Sequence, residues 1–265
     1  MATIVFFHAH PDDEAITTAG TMAKMASEGH RVILVTATRG ELGEVPPGIL
    51  AEGETLAEVR ERELTLASKA LHVSRLEFLG YRDSGMLGEE TNQDSASFWQ
   101  ADLEEASRKL ASILEQEHAD VLTTYDEHGV YGHPDHVQVH RVGVRAAEIA
   151  RTPIVYMATQ NRDSIRELMG RAGELGVDAP DVNDLDVDTF GEPAERITTE
   201  VDVTSYLGAK REAMRAHASQ ISESSFFLSM PDEAFAALWG TESFIRLGAD
   251  RPSQLETSLL EALAE

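Results

Sequence analysis

Residues 1–36 read MATIVFFHAHPDDEAITTAGTMAKMASEGHRVILVT, and this stretch decides the fold. Ile4–Phe7 is a short apolar run of strand character. Ala15–Glu28 carries helix formers and ends at Gly29, a residue suited to the position just past a helix. Arg31–Thr36 is a continuous apolar run of the kind that parallel sheets bury on both faces. A strand, a helix and a second strand in this space predict a parallel pair joined by a crossover helix.

The same alternation continues outward. Residues 38–54 are rich in Gly and Pro and read as a loop. Thr55–Leu71 reads as a helix, with Thr55 and Glu58 at capping-box spacing. Leu76–Leu79 is a strand, Ala96–His118 a long helix and Val121–Tyr125 a strand. A loop then enters a helix running to Ala150, and Ile154–Met157 is a fifth strand. The expected class is α/β, a mostly parallel sheet with helices on both faces. Ligands bind such sheets beyond the carboxyl ends of the strands. HAHPDDE (8–14), TRGELGE (38–44), GYRDSGM (80–86) and YDEHGVYGHPDH (125–136) each follow a strand, so all four should gather on one edge.

The last third is less regular. Glu174–Asp202 holds ten acidic residues and Arg196 as its sole base, and is expected to be a solvated loop or cap with little packing of its own. Val203–Gln220 and Pro231–Trp239 read as helices and Glu242–Leu247 as an edge strand. The tail SQLETSLLEALAE has helical periodicity and suits packing on the body or on a partner subunit, so a homo-oligomer is compatible with it. With no repeat and no linker, residues 1–265 are expected to form a single domain, a core over 1–160 and a cap and tail over 161–265.

Composition narrows the chemistry. The 265 residues include 47 Asp and Glu against 22 Lys and Arg, a formal charge of −25, so nucleic acid and anionic membrane surfaces are poor partners. The 42% hydrophobic content excludes a largely disordered chain. No apolar stretch is long enough for a membrane helix, and the start reads as a strand rather than a signal peptide. Cytoplasmic residence is therefore expected. The chain has no cysteine. Disulfides, thiolate zinc sites and Cys nucleophiles are excluded, and any metal must rest on imidazole and carboxylate.

Two clusters offer those donors. His10 and Asp13 straddle a proline-led turn after the first strand, and His136 can supply a third ligand from a neighbouring strand end. Such a His₂Asp set with one open position suits a catalytic zinc, which acidifies water and polarises a carbonyl; Fe(II) or another divalent ion suits the same donors. Asp12 is placed to act as general base. His133 can stabilise an oxyanion or protonate a leaving amine, with Asp135 orienting it and favouring its charged form. Tyr131 offers a phenol to the same oxyanion. Blander roles exist for these residues. Asp12, Asp13 and Glu14 also suit the positive end of a helix dipole; His8 alternates with His10 and would face the other side; His30, His72, His118 and His128 sit in no motif.

HAHPDDE and YGHPDH, in this order, closely resemble the LmbE-like or PIG-L family of zinc-dependent N-acetylglucosaminyl deacetylases. The resemblance runs from residue 3 to about residue 220 and includes LAEVRERELTLASKALHV, GYRDSGM and VDVTSYLGAKREAMRAHASQI. It implies a Rossmann-like three-layer sandwich and zinc on His10, Asp13 and His136. It also implies Asp12 as base, His133 as acid or electrostatic stabiliser and Tyr131 as an assisting phenol. In the mycothiol-pathway branch, Arg60 and Asp83 match residues that hold the sugar and the group attached to it; a helix–loop salt bridge is the plain alternative for both. The implied activity is hydrolysis of the N-acetyl amide of an amino-sugar conjugate, a small-molecule substrate. Thr17 stands where the related mycothiol-conjugate amidase has lysine, which favours a deacetylase over that amidase. The loop leading into RDSGM is shorter than in the mycothiol branch, which leaves the aglycone open. A dinuclear metallo-hydrolase with an H-x-H-x-D-H signature is the other enzyme reading. His8, His10 and Asp12 fit it, but Asp13 stands where its last histidine should be, and strand–helix repeats do not suit its β-sandwich core.

Overall fold

The first strand, β1 (Thr3–His8), is buried along almost its whole length, and every later element is arranged around it. The computed structural model describes residues 1–171, 173–175 and 189–264. After β1 come α1 (Asp13–Thr17), α2 (Ala19–Ser27), β2 (Arg31–Thr36), α3 (Leu56–Ala70), β3 (Arg75–Phe78), α4 (Leu103–Glu117) and β4 (Val121–Tyr125). The second half adds α5 (Gly129–Gly132), α6 (Pro134–Ala150), β5 (Ile154–Thr159), α7 (Arg162–Gly170), β6 (Thr199–Asp202), α8 (Leu207–Ala216), α9 (Phe226–Ser229), α10 (Asp232–Trp239) and β7 (Thr241–Arg246). The seven strands form one sheet in the order β3-β2-β1-β4-β5-β7-β6. β1 to β5 are mutually parallel, and β7 and β6 add antiparallel. The strand order reverses between β1 and β4, the switch point where open α/β sheets form ligand crevices. A β-sandwich core, and with it the dinuclear hydrolase built on one, does not fit this sheet.

Several expected boundaries shift for local reasons. The helix expected over Ala15–Glu28 is two helices that meet at Thr18, whose φ of −134° leaves the helical region. Its hydroxyl lies 2.9 Å from His8 Nε2. The backbone N–H groups of Gly20 and Thr21, exposed by this break, donate to the two oxygens of Glu242 on β7, at 2.9 and 2.7 Å. The long helix expected from Ala96 begins at Leu103, because Asp102 caps it by accepting from the Glu105 N–H at 2.9 Å. The capping box of Thr55 and Glu58 is present at the start of α3. The Val203–Gln220 helix is shorter, α8 preceded by a 3-10 turn at Thr204–Tyr206. α7 and α9, and the short α5 within the expected loop, are additions that the sequence reading did not contain.

The acidic segment and the sheet edge need correction. Thr199–Asp202, expected as solvated loop, is β6, with Thr199 and Val201 buried and paired to β7. β7 is therefore interior, between β5 and β6, and β6 is the edge. Ile197 and Thr198 are buried too, so this part packs firmly; residues 176–188 of the acidic segment lie outside the described residues. The tail makes a 3-10 turn at Glu261–Ala264 rather than an α-helix, and it packs on the body. Glu256 pairs with the Thr199 backbone and its carboxylate accepts from Tyr156 Oη at 2.8 Å and Thr199 Oγ1 at 2.6 Å. Among the described residues no helix is long and apolar enough to cross a membrane.

Candidate active site

The turn after β1 carries the densest chemistry. Asp12 adopts φ 114° and ψ −28°, a left-handed conformation that costs a non-glycine residue about 1–3 kcal/mol. Two contacts hold it there. The Asp12 N–H donates to Glu14 Oε2 at 3.0 Å, and the Asp12 carboxylate lies 3.0 Å from Arg60 Nη2. Glu14 is fully buried, and its other oxygen meets Nε2 of fully buried His217 at 2.6 Å. His217, from the end of α8, thus supports this turn from 203 residues away. Sequence reading gave it no role. Its local pattern is an ordinary helix end, and no spacing rule links it to Glu14.

The α5 turn brings the second cluster to the first. Gly129 has φ +68°, and a Cβ there would lie 2.6 Å from His136 Cβ, so glycine lets this loop close over α6. Pro134 opens α6 within its first turn, as helix starts prefer. The result places Asp13 between two imidazoles, with Oδ2 3.5 Å from His10 Nδ1 and Oδ1 3.3 Å from His136 Nε2. His10 Nε2 faces Asp135 Oδ2 at 3.0 Å and Asp83 Oδ1 at 3.5 Å. Ligand atoms of His10, His133 and His136 come within 4.8 Å of one another, as do those of His10, Asp83 and Asp135. Every one of the nine residues singled out in the sequence lies at this crevice.

Their electrostatics separate their roles. Burial disfavours charge on His10, but Asp83, Asp13 and Asp135 outweigh it and raise its pKa well above the ordinary value. Burial raises Asp13, yet His136 and His10 overcome it and hold the carboxyl well below the usual range. Asp12 moves the other way. Burial raises it most, Arg60 opposes and Asp13 adds to the rise, so it is a more basic carboxylate than a free one. The donor set therefore attracts positive charge at its centre and keeps one basic carboxylate beside it. His136 Nδ1 is buried without a hydrogen-bond partner among the described residues. Buried imidazole and carboxylate donors in this number fit a divalent ion.

The structure alters four expected assignments. Asp135 does not orient His133 through its carboxylate, which instead accepts from Ser84 N at 3.0 Å and from Ser84 Oγ, and faces His10. The Asp135 backbone N–H donates to His133 Nδ1 at 3.1 Å, which leaves the ring proton on Nε2. His133 is not biased towards its charged form: burial first, then His10 and His136, lower its pKa to about 4. At neutral pH it is a hydrogen-bond donor. Arg60 is 4% exposed and its guanidinium is engaged by protein, donating to Gly40 O at 2.8 Å and to Pro11 O beside the Asp12 pair. Asp83 accepts from Gly85 N at 2.9 Å and Leu42 N at 3.2 Å, and burial notwithstanding, His10 lowers its pKa. His8 does not simply face away. It sits beneath the site, 2.6 Å from Tyr125 Oη, and burial holds it neutral with a pKa of about 4. Tyr131 is 45% exposed while its hydroxyl lies 3.5 Å from His136 Nε2. Desolvation and the Asp13 carboxylate raise its pKa, so the phenol keeps its proton.

Residues 5–147 match the PIG-L family, described as GlcNAc-PI de-N-acetylase. A Thermomonospora curvata protein named 1D-myo-inositol 2-acetamido-2-deoxy-alpha-D-glucopyranoside deacetylase is 41% identical over 264 residues, covering 90% of this chain and 89% of its own. The chain belongs to the PIG-L family. A Streptomyces avermitilis relative of the same name is 40% identical over 294 residues, covering 98% and 97% of the two chains. Solved structures share the PIG-L chain's fold at low identity. N,N'-diacetylchitobiose deacetylase from Pyrococcus horikoshii superimposes with a TM-score of 0.60 at 19% identity, covering 92% of this chain and 83% of its own. 4-Carboxy-2-hydroxymuconate hydratase from Pseudomonas putida does so with a TM-score of 0.61 at 16% identity, covering 96% and 100%. A deacetylase and a hydratase on one fold mean that chemistry in this PIG-L enzyme must be argued from its site.

Proposed function

We propose that this enzyme hydrolyses the N-acetyl amide of an N-acetylglucosamine conjugate, releasing acetate and the free amine, with Zn²⁺ as its working ion. The inositol conjugate named for its relatives is the first substrate to expect. The observation that carries this reading is the pairing of a basic carboxylate, Asp12, with a buried His10–Asp13–His136 donor set beside it. His10, Asp13 and His136 are the residues that would hold the ion, which supplies Lewis-acid polarisation of the carbonyl and acidifies water. Fe(II) suits the same donors and is an arm of the test.

Each remaining residue has one task. Asp12 takes a proton from the attacking water as the water oxygen bonds to the carbonyl carbon. The oxyanion that forms accepts hydrogen bonds from the Tyr131 hydroxyl and from His133 Nε2–H, which this network keeps protonated. Asp12 then passes its proton to the nitrogen as the C–N bond breaks. Arg60 fixes the Asp12 carboxylate, Asp135 fixes His10, and Asp83 presents a carboxylate to sugar hydroxyls. The whole chain acts as one domain, in a cytoplasmic setting, and a homo-oligomer is compatible with the reading.

The test is amine release from free N-acetylglucosamine, its inositol conjugate and a lipid-linked conjugate. Each is assayed with enzyme as purified, after chelation and after reloading with Zn²⁺ or Fe²⁺. The expected result is turnover of the inositol conjugate that chelation abolishes and metal restores. Absence of amine release from every conjugate by fully loaded enzyme overturns the reading.

A further inference from the structure

A cavity of about 470 Å³ opens directly off the donor set, with Asp13, Tyr131 and His136 in its wall. Ile16, Phe190, Phe227, Leu238 and Trp239 make much of the remainder, contributed by α1, the segment before β6, α9 and α10. Among the described residues, and beyond the donor set, Thr17 and Gln160 are the polar side chains of this lining, apart from the Trp239 N–H, and neither is charged. A hydroxylated ring buried there would leave its hydroxyls unpaired, at a cost for each. An acetyl methyl, at the other extreme, fills a small part of a space that lies within the size range of whole small-molecule sites.

The two sides of the site differ in kind. Asp12, Arg60, Asp83 and Glu41 lie on the polar side; Glu41 accepts from the Asp83 N–H at 3.1 Å. That side offers charged acceptors to sugar hydroxyls, and the cavity offers hydrocarbon. The scissile amide, held between Asp12 and Tyr131, therefore directs its sugar towards the polar side and its acyl group towards the cavity. Thr17 belongs to this lining, so a lysine at 17 would put a cation into it.

We propose that the enzyme is an N-deacylase for linear acyl chains longer than acetyl, with the chain seated in this cavity. The inference rests on the amide-hydrolase reading above and widens its substrate class. The bonds changed are the same: water supplies hydroxyl to the acyl carbon, the C–N bond breaks, the nitrogen gains the proton, and a carboxylate of chain length equal to the acyl group leaves.

The experiment measures kcat/KM for N-acetyl-, N-butyryl-, N-hexanoyl- and N-octanoylglucosamine with the zinc-loaded enzyme. Each buried methylene is expected to raise kcat/KM roughly two- to fourfold until the cavity is filled. Ala234→Phe, which narrows the cavity at a buried lining position, is expected to lower the octanoyl-to-acetyl ratio about tenfold or more. That ratio is read within one preparation, so partial misfolding does not alter it. Octyl 2-acetamido-2-deoxyglucoside serves as the control for an apolar aglycone. If acetyl turns over and kcat/KM falls with every added carbon, the inference is overturned and the deacetylase reading stands. If the octyl glycoside gains the preference and loses it in Ala234→Phe, the cavity holds the aglycone and the inference is again overturned. If no N-acyl sugar is hydrolysed, both readings fail together.

Discussion

In the proposed reaction Asp12 is the base, and three residues fix its position. Glu14 holds its backbone, Arg60 holds its carboxylate and His217 holds Glu14. None of the donor set depends on its carboxylate, since Asp13 is the carboxylate that lies between His10 and His136. Asp12→Ala is expected to lower kcat by about 100- to 10,000-fold while retaining metal. Asp12→Asn should show the same loss with less effect on stability, because it keeps a polar partner for the buried Arg60 guanidinium. Metal content by elemental analysis, read beside kcat, checks both. Loss of metal with unchanged turnover per bound ion would show that Asp12 is a ligand and not the base. At this scale the sequence was informative where chemistry is local. HPDDE and HPDH put donors within a few residues of one another at two strand ends. Glu14–His217 and Ser84–Asp135 were not legible, because each joins segments far apart in the sequence and no spacing rule links the partners. The Asp135–His133 relation was misread for a related reason: the backbone N–H, present at nearly every residue, does what the side chain was expected to do.

At the scale of elements, the break between α1 and α2 is the decisive irregularity. A straight helix through this Ala-rich sequence is what the pattern favours even with Gly20 in it, yet Thr18 turns the chain. The exposed N–H groups of α2 are then satisfied by Glu242 of β7, whose charge is balanced by Lys210 Nζ at 2.6 Å; that ammonium also donates to Ile16 O at 2.7 Å. Both side chains are buried. One carboxylate thus ties β7, α2 and α8 to the helix that carries Asp13. Glu242→Ala strands a buried ammonium and two backbone donors, and is expected to cost about 3–5 kcal/mol. Urea unfolding checks it, and Lys210→Met in the same background should recover part of the loss by removing the stranded charge. A loss under 1 kcal/mol in Glu242→Ala would mean that water replaces the carboxylate there. Five parallel strands could be read from their apolar runs and the helices between them. β6 could not, because Thr199–Asp202 is four residues long and half polar, and its strand character comes from pairing with β7 rather than from its own composition.

For the molecule as a whole, 47 acidic groups dominate the response to pH, and one of them has a stabilising arrangement that can be isolated. Glu117, at the end of α4, accepts from Arg31 Nε at 2.7 Å and Arg75 Nη1 at 2.8 Å, which ties a helix end to the starts of β2 and β3. The hydrogen bond from Arg31, then that from Arg75, hold its carboxyl down at about 2. A carboxylate lowered on folding contributes stability above its unfolded pKa, near 4.3, and loses it as pH falls towards 2. Arg31 is 39% exposed, so solvent screening reduces the effect to about 1 kcal/mol. Glu117→Gln should therefore be less stable than the parent by about that much at pH 7, with more than half of the gap gone by about pH 3. Acidification also relieves the repulsion among the other carboxylates, and does so almost equally in both chains. The difference between the two unfolding curves removes that common contribution and leaves the Glu117 share. A gap that stays constant from pH 7 to pH 3 would assign the loss to packing and remove the ion pair from the account of this junction.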